Sequence, residues 1–125
     1  MLEVVAAFIR DGERFLICQR PAGKNCAFGW EFPGGKVEEG ETKAEALVRE
    51  CREELALVLD VKKELADVLH DYPGFSIHLT LLEATVAEGA PTALEHNDIR
   101  WITFEEIKDF DFCPADRKLI GKLSI

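Results

Sequence analysis

Residues 34–57 read GGKVEEGETKAEALVRECREELAL, and the rest of the chain is organised around this segment. It begins with the pair Gly34-Gly35, which allows backbone turns that residues with side chains resist. A helix is predicted from Thr42 to about Leu55, because Thr42 and Glu45 have the spacing of a capping box. The segment therefore predicts a glycine turn, a charged loop and a capped helix.

The predicted helix presents two distinct faces at 3.6 residues per turn. Glu50, Glu53 and Glu54 stand at i, i+3 and i+4, so their carboxylates project from the same side. Like charges repel, and we expect a cation to neutralise them, since Mg²⁺ and Mn²⁺ prefer oxygen ligands. An apolar stripe on a neighbouring face is suited to packing on a sheet and consists of Ala44, Leu47, Val48, Cys51 and Leu55.

Fixed positions in this segment resemble the Nudix box, G-x5-E-x7-R-E-U-x-E-E-x-G-U, in which U is a bulky apolar residue. The matching residues are Gly35, Glu41, Arg49, Glu50, Glu53, Glu54 and Leu57. Cys51 stands at the first U position as a small hydrophobic residue. Ala56 stands where the family has glycine, and alanine in a left-handed turn costs roughly 1 kcal/mol. This departure affects the turn rather than the carboxylates.

The resemblance implies an α/β fold, the Nudix α/β/α sandwich with a mixed curved sheet between helices. It also implies a site for Mg²⁺ or Mn²⁺, with Arg49 pairing with Glu41 to hold the helix against its loop. The implied metal ligands are Glu50, Glu53, Glu54 and a backbone carbonyl of Gly34 or Gly35.

Two further residues gain roles from the resemblance. Glu95 falls where MutT-like members carry an additional metal-binding or base glutamate on a mobile loop, with His96 and Asp98 as neighbouring alternatives. Lys36 is placed to meet a phosphate group of the substrate. Glu95 would thus add a carboxylate, and Lys36 a positive charge, to the glutamate cluster of the helix.

MutT-like members read a purine through four positions that can be located in this chain. They hold Arg20, Asn25, Phe32 and Asp116. Asp116 replaces an Asn of the bacterial prototype and Asn25 replaces a His. An ionised Asp only accepts hydrogen bonds, whereas Asn also donates them, so the substitution argues against recognition of oxidised guanine. The segment ending at Asp116, Cys-Pro-Ala-Asp, is similar to relatives that hydrolyse CTP and modified pyrimidine nucleotides.

The function that the resemblance implies is hydrolysis of a nucleoside or deoxynucleoside triphosphate to the monophosphate and pyrophosphate. Sanitation of the nucleotide pool, with 8-oxo-dGTP as a substrate, is the first form of this prediction. CTP or a modified pyrimidine nucleotide is the alternative within the same chemistry. ADP-ribose or a dinucleoside polyphosphate is a further alternative, because Tyr72 and Pro73 lie near marker positions of those subfamilies. The last alternative is a non-catalytic nucleotide-binding module, although the retained glutamates argue against it.

Length and composition limit the remaining possibilities. With 125 residues we expect one domain, residues 1–125. A net charge of −9 argues against binding a nucleic acid polymer, whereas a small nucleotide suits a metal site. No stretch approaches the roughly 20 apolar residues of a membrane span, and the start lacks a signal-peptide layout. The sequence leaves open whether the protein is a monomer or a homodimer.

The four cysteines, Cys18, Cys26, Cys51 and Cys113, are widely spaced and form no C-x-x-C pair. We therefore expect neither a disulfide nor a zinc site, and a cytoplasmic location. Outside the central segment, strands are predicted over residues 3–10, 14–20, 75–86 and 100–104, a helical turn over 105–110 and a helix over 116–123. Residues 58–70 fit either a helix or a strand, and the resemblance favours a strand.

Overall fold

The computed structural model describes residues 1–123 of the chain. That part of the chain contains seven strands, two α-helices and one 3-10 helix. The elements are β1 (Leu2–Asp11), β2 (Arg14–Gln19), β3 (Trp30–Glu31), β4 (Gly34–Lys36), α1 (Lys43–Leu55), β5 (Val58–Tyr72), β6 (Phe75–Glu88), β7 (Asp98–Ile102), the 3-10 helix (Phe104–Asp109) and α2 (Pro114–Lys122).

Strand β1 is the centre of a mixed sheet. It pairs in parallel with β6 from Leu2 to Ile9 and antiparallel with β4 from Val4 to Ala6. Strands β5 and β6 form a long antiparallel hairpin, and β2 pairs antiparallel with β3 and β7. The mixed sheet confirms the predicted α/β class.

The side chains of β1 alternate between two hydrophobic clusters, as the period of a strand requires. Val5, Ala7 and Ile9 pack in the cluster that contains the buried side of α1. Ala6 and Phe8 pack in the other cluster, with the buried side of α2. One helix therefore covers each face of the sheet, which confirms the α/β/α sandwich.

Helix α1 has the predicted capping box, with Thr42 and Glu45 bonded reciprocally. Its predicted apolar stripe is partly wrong, because Ala44 is exposed and Val48 is only half-buried. Periodicity gives the spacing of a stripe but does not fix which side of the helix meets the sheet. The buried face consists of Ala46, Leu47, Cys51, Glu54 and Leu55. Glu54, one of the three clustered glutamates, is thus turned toward the interior.

Alanine in place of the family glycine does not prevent the turn after α1. Ala56 has φ 57° and ψ 34°, in the left-handed region, and its N–H donates to the Arg52 carbonyl at 3.1 Å. Leu57, one residue further on, is fully buried. The chain therefore leaves the helix as the glycine-ended motif would, with the strain on an alanine.

Several boundaries differ from the prediction because backbone pairing extends the elements. Strand β5 continues to Tyr72 and β6 to Glu88, since the two strands pair up to the turn at Pro73-Gly74. Gly34 and Gly35 belong to a short strand rather than to a turn alone. Helix α2 begins at Pro114 instead of Asp116.

The prediction that no disulfide forms is wrong. Cys26, in the loop between β2 and β3, is bonded to Cys113, the N-cap residue of α2, across a sequence separation of 87 residues. Cys18 and Cys51 are free and buried. The spacing of the cysteines could not reveal this pair, because only the fold brings the loop to the helix. Within residues 1–123, no helix is long and apolar enough to cross a membrane.

Candidate active site

A cleft lies between α1, β4 and the loop that follows β6. Helix α1 contributes Glu50 and Glu54 to it, and β4 contributes Gly34 and Gly35. The remaining lining residues are Pro21, Lys24, Glu31, Glu95 and His96. Four carboxylates from separate parts of the chain therefore share one cleft.

Glycine at position 35 allows the close approach of β4 to α1. A Cβ atom on Gly35 would lie 2.5 Å from Oε2 and 2.7 Å from Oε1 of Glu50. Real Cβ atoms do not come this near to other heavy atoms, so a side chain here would displace the Glu50 carboxylate. The first glycine of the box is thus required by its close contact with Glu50, the first of the three clustered glutamates.

Arg49 connects the helix to the charged loop before it. Its Nε and Nη2 donate to the two carboxylate oxygens of Glu41 at 2.7 and 3.0 Å, and Nη2 also donates to the Lys36 carbonyl at 3.0 Å. Nη1 donates to Glu50 at 2.9 Å. The Arg49 bonds lower the pKa of the Glu41 carboxyl to about 2, so that it stays ionised. The predicted pairing of Arg49 with Glu41 is confirmed.

Glu54 has the most perturbed environment of the helix carboxylates. Burial, followed by the neighbouring Glu50, raises its pKa to about 10. Its Oε2 atom is buried and has no hydrogen-bond partner among the described residues. A buried carboxylate without a positive partner is unfavourable, so this position is suited to a cation.

The donor set fits a divalent cation, although the side chains are not arranged around one. Within residues 1–123, no three Asp, Glu, His or Cys side chains converge as metal ligands do. Glu53 is 59 % exposed and its carboxylate lies 3.5 Å from Arg49. The donors are carboxylate and carbonyl oxygens, which Mg²⁺ and Mn²⁺ prefer. The unpartnered Glu54 oxygen is one that could hold such an ion.

The loop between β6 and β7 brings Glu95 to the cleft. The Leu94 N–H donates to the Glu54 carbonyl at 3.1 Å, and the Asn97 N–H donates to the Gln19 carbonyl at 2.9 Å. Glu95 is exposed between these two anchors and lines the cleft. Of its sequence alternatives, Asp98 instead accepts from Arg100 at 3.0 Å.

A second pocket lies next to the cleft and is mostly apolar. Glu31, Gly34 and Gly35 line both spaces, so they form a shared wall. The pocket contains all four residues that the sequence assigns to base recognition, namely Arg20, Asn25, Phe32 and Asp116. Arg20 donates to the Asn25 carbonyl at 2.6 Å and to Glu31 at 2.9 Å, which ties it to the pocket rim.

Asp116 is buried at the base of this pocket, 6 % exposed. Its Oδ1 accepts a hydrogen bond from the Phe32 N–H at 3.0 Å. Burial, with Glu31 nearby, raises the pKa of Asp116 well above its usual range. A raised pKa favours the protonated carboxyl, which donates as well as accepts, over the ionised acceptor that the sequence analysis assumed.

Two predicted residues lie in unexpected settings. The Phe32 ring is 3 % exposed and packs with Phe8, Phe15 and Phe112, so the ring belongs to the core while its edge lines the pocket. Lys36 is exposed and does not line the carboxylate cleft.

Sequence reasoning gave no site role to Lys24 and Glu31, which line the cleft. It considered Tyr72, which lines the pocket, only as a marker for hydrolysis of ADP-ribose or a dinucleoside polyphosphate. Glu31 immediately precedes the predicted site residue Phe32, and this proximity was the available signal for Glu31. Lys24 lies in a loop and Tyr72 at a hairpin end, and neither position carries a local pattern.

Comparison with known proteins gives a consistent assignment. The NUDIX domain family model matches residues 4–122. The chain is 40 % identical over 120 residues to CTP pyrophosphohydrolase of Escherichia coli, covering 96 % of this chain and 89 % of that protein. It is 31 % identical over 123 residues to 8-oxo-dGTP diphosphatase of the same species, covering 98 % and 95 %. The crystal structure of a MutT NUDIX hydrolase from Burkholderia pseudomallei matches with a TM-score of 0.88 at 25 % identity, covering 98 % of both chains.

Nudix hydrolases generally require divalent metal ions, in agreement with the oxygen-rich cleft. The family match covers nearly the whole chain, and the fold, the box and the carboxylate cleft agree with it. The chain therefore belongs to the NUDIX domain family and is a hydrolase that acts on acid anhydrides.

Proposed function

We propose that the chain is a Mg²⁺- or Mn²⁺-dependent pyrophosphohydrolase that converts nucleoside or deoxynucleoside triphosphates to the monophosphate and pyrophosphate. The shared wall of Glu31, Gly34 and Gly35 is the observation that carries this proposal. A nucleotide with its base in the apolar pocket would lay its phosphates across the glycine strand. They would then reach the carboxylates of α1.

The metal-binding and catalytic roles follow from the cleft. Glu50, Glu54 and Glu95 line it, and Glu53 can turn toward it from its exposed position. When bound, a divalent cation neutralises phosphate charge and lowers the pKa of a bound water. The protein's part is to hold the carboxylates in position, which Arg49 does through Glu41 and Glu50. The proposed ligands are Glu50, Glu53, Glu54, Glu95 and a backbone carbonyl of Gly34 or Gly35.

Two lysines are proposed to meet the phosphates. Lys24 lines the cleft directly. Lys36 is exposed at the end of β4, with its carbonyl accepting from Arg49, so its flexible side chain can reach over the strand. In a chain of net charge −9, local positive charge at the cleft offsets repulsion of the substrate.

Base recognition is proposed to depend on Asp116, supported by Arg20, Asn25 and Phe32. A protonated Asp116 donates and accepts as an Asn does, which makes the pocket compatible with the oxidised purine of 8-oxo-dGTP. The same donor and acceptor pair fits the exocyclic amine and ring nitrogen of cytosine. The relatives named for these two substrates are both similar over nearly the whole chain, so CTP or a modified pyrimidine nucleotide is the second candidate.

We further propose that residues 1–125 act as one domain in the cytoplasm, on free nucleotides rather than nucleic acid polymers. The substrate class supports this location, because nucleotide pools are cytoplasmic. The disulfide between Cys26 and Cys113 is the observation that stands against it, since the cytoplasm keeps thiols reduced. Titration of free thiols in protein purified without reductant decides whether the bond persists.

The test is hydrolysis with Mg²⁺, followed as pyrophosphate release from 8-oxo-dGTP, dGTP, CTP, dCTP and 5-methyl-dCTP and as formation of AMP from ADP-ribose. We expect a triphosphate to give the highest kcat/KM and chelation by EDTA to abolish turnover. Cleavage of ADP-ribose alone would overturn the triphosphate assignment. Binding of nucleotide without any cleavage would instead identify a binding module.

A pair of variants tests the carboxylate role. Glu53→Gln removes one charge from the proposed metal ligands and should reduce kcat by at least about 100-fold with the fold retained. Glu39→Gln makes the same chemical change on the exposed loop before α1 and should leave kcat within about twofold of wild type. Equal activity of the two variants would contradict the assignment of Glu53.

A further inference from the structure

His96 is buried where a surface loop would ordinarily place an exposed residue. Its side chain is 4 % exposed, although the neighbouring Glu95 and Asn97 are exposed. The Nε2 atom lies 3.3 Å from Glu31 Oε2 and 3.4 Å from Glu54 Oε1. Carboxylate oxygens accept hydrogen bonds, so we assign the ring hydrogen of His96 to Nε2. Nε2–H then donates to Glu31 and also contacts Glu54.

This contact completes a connection between the two spaces of the site. Arg20, at the rim of the base pocket, donates to Glu31 Oε1 at 2.9 Å. Glu31 accepts from His96 through its other oxygen. His96 then meets the buried carboxyl of Glu54 in the cleft. The side chains from Arg20 to Glu54 therefore form one chain of polar contacts between pocket and cleft.

The same histidine also fixes the position of Glu95. The loop is held by backbone bonds at Leu94 and Asn97, and His96 adds a side-chain anchor between them. Removing the anchor would leave Glu95 free to move relative to α1. Such small displacements matter, because an error of about 1 Å in the position of a functional group costs about 100-fold in rate.

We propose that His96 is a positioning residue that links the nucleobase pocket to the metal-binding carboxylates, by holding Glu31 and the Glu95 loop against Glu54. The proposal rests on the function assigned above. A base that fixes Arg20 would also fix Glu31 and, through His96, the Glu54 carboxyl. Occupancy of the pocket would then improve binding of the cation in the cleft, and by linkage the cation would improve binding of the base.

The test measures this linkage without turnover. Mn²⁺ affinity is determined by electron paramagnetic resonance, without nucleoside and with each of two nucleosides, 8-oxo-deoxyguanosine and cytidine. A nucleoside fills the pocket but carries no phosphate, so it cannot contact the metal directly. In the wild type we expect at least one of the two nucleosides to tighten Mn²⁺ binding about fivefold.

Three variants locate the effect. His96→Leu removes the donor, and we expect the nucleoside to change its Mn²⁺ affinity less than 1.5-fold, on the order of measurement error. His96→Gln places an amide N–H near the Nε2 position and should restore part of the linkage. His78→Leu makes the same change at a histidine on β6 that bonds Glu3 and Asp67 outside both spaces, and should keep the wild-type linkage.

Wild-type linkage in His96→Leu would overturn the proposal, even if the enzyme cleaves triphosphates as expected. Conversely, linkage that depends on His96 in a protein that cleaves nothing would leave this proposal standing and refute the proposed function. A measurement on unmodified protein covers the case in which His96→Leu does not fold. In long-range proton–nitrogen spectra, the His96 ring resonances should show a protonated Nε2 and should shift on adding either Mg²⁺ or the nucleoside. Resonances that respond to neither ligand would refute the proposal.

Discussion

Ala56→Gly is expected to stabilise the protein, because Ala56 occupies a left-handed conformation that glycine adopts without strain. Its φ of 57° and ψ of 34° place the Cβ atom against the backbone. The residue is exposed, so loss of its methyl group removes no core packing. Its N–H bonds to the helix do not involve the side chain and remain in the variant.

The expected gain is a difference of two opposing effects. Relief of the left-handed conformation contributes roughly 1–2 kcal/mol. The greater freedom of glycine in the unfolded chain offsets about 0.4–1 kcal/mol of this. With the middle of each range, about 1.5 minus about 0.7, the net gain is on the order of 0.5–1 kcal/mol. For 125 residues the unfolding entropy is about 260 cal/mol/K, so Tm should rise by about 2–4 °C.

The assay is calorimetric unfolding, with urea titration at 25 °C as a second measure of the free energy of unfolding. Ala44→Gly is the matched control, since Ala44 is also exposed but lies within the right-handed turns of α1. There the same substitution should lower the free energy of unfolding by up to about 1 kcal/mol. Turnover by Ala56→Gly should stay within about twofold of wild type, because an exposed residue outside both spaces acts on neither.

A Tm of Ala56→Gly equal to or below that of the wild type would refute this reasoning. It would mean that the left-handed alanine is not strained, and that the departure from the family glycine has no energetic cost. A rise in Tm for both glycine variants would also contradict it, because the effect would then not depend on the sign of φ.

Three further outcomes are expected. Gly35→Ala should lower kcat by about 100-fold, because the added Cβ displaces Glu50. Gly121→Ala is the control and should keep the wild-type kcat, because there is open space around its Cβ. Equal kcat values for the two variants would contradict the close contact between Gly35 and Glu50. Asp116→Asn should be more stable to urea than the wild type at pH 8 but not near pH 4. The raised pKa of Asp116 gives stability that is present below the unfolded pKa and is lost as pH rises toward the folded pKa. Equal stability of the two proteins at pH 8 would refute the raised pKa. The hydrogen bonds that His78 donates to Asp67 and to Glu3 raise its pKa. Its contribution to stability is therefore full below the unfolded pKa of about 6.5 and is lost as pH rises through the folded pKa. His78→Gln should remove this loss in urea titrations between pH 5.5 and 8.5, and an unchanged pH dependence would argue against the contact.

Much of the fold was accessible from the sequence. The capping box depends on contacts between residues close along the chain, and the apolar run of β1 is a local pattern that predicts a strand. The hairpin β5–β6 was harder, because its first strand carries a pattern that helix and strand share. Pairing with β6 along nearly its whole length settles it as a strand. Resemblance to the family supplied what the pattern could not.

The two buried carboxyl groups show what local reasoning could not provide. Glu54 was predicted as one of three similar glutamates, and Asp116 as an ionised acceptor. Burial raises the pKa of each, and burial depends on which side of a helix meets the rest of the fold. The sequence could not provide the direction of these pKa shifts, because burial depends on the tertiary structure.

By itself the sequence determined the capped helix, the three carboxylates on it and the turn that ends it. These features depend on hydrogen bonds and spacings within a few residues, which composition and periodicity encode directly. Only the tertiary structure decided that His96 meets Glu31 and Glu54, that Phe32 donates to Asp116 and that Cys26 is bonded to Cys113. Those contacts join residues more than 40 positions apart, and their geometry depends on strand order and packing rather than on any local pattern.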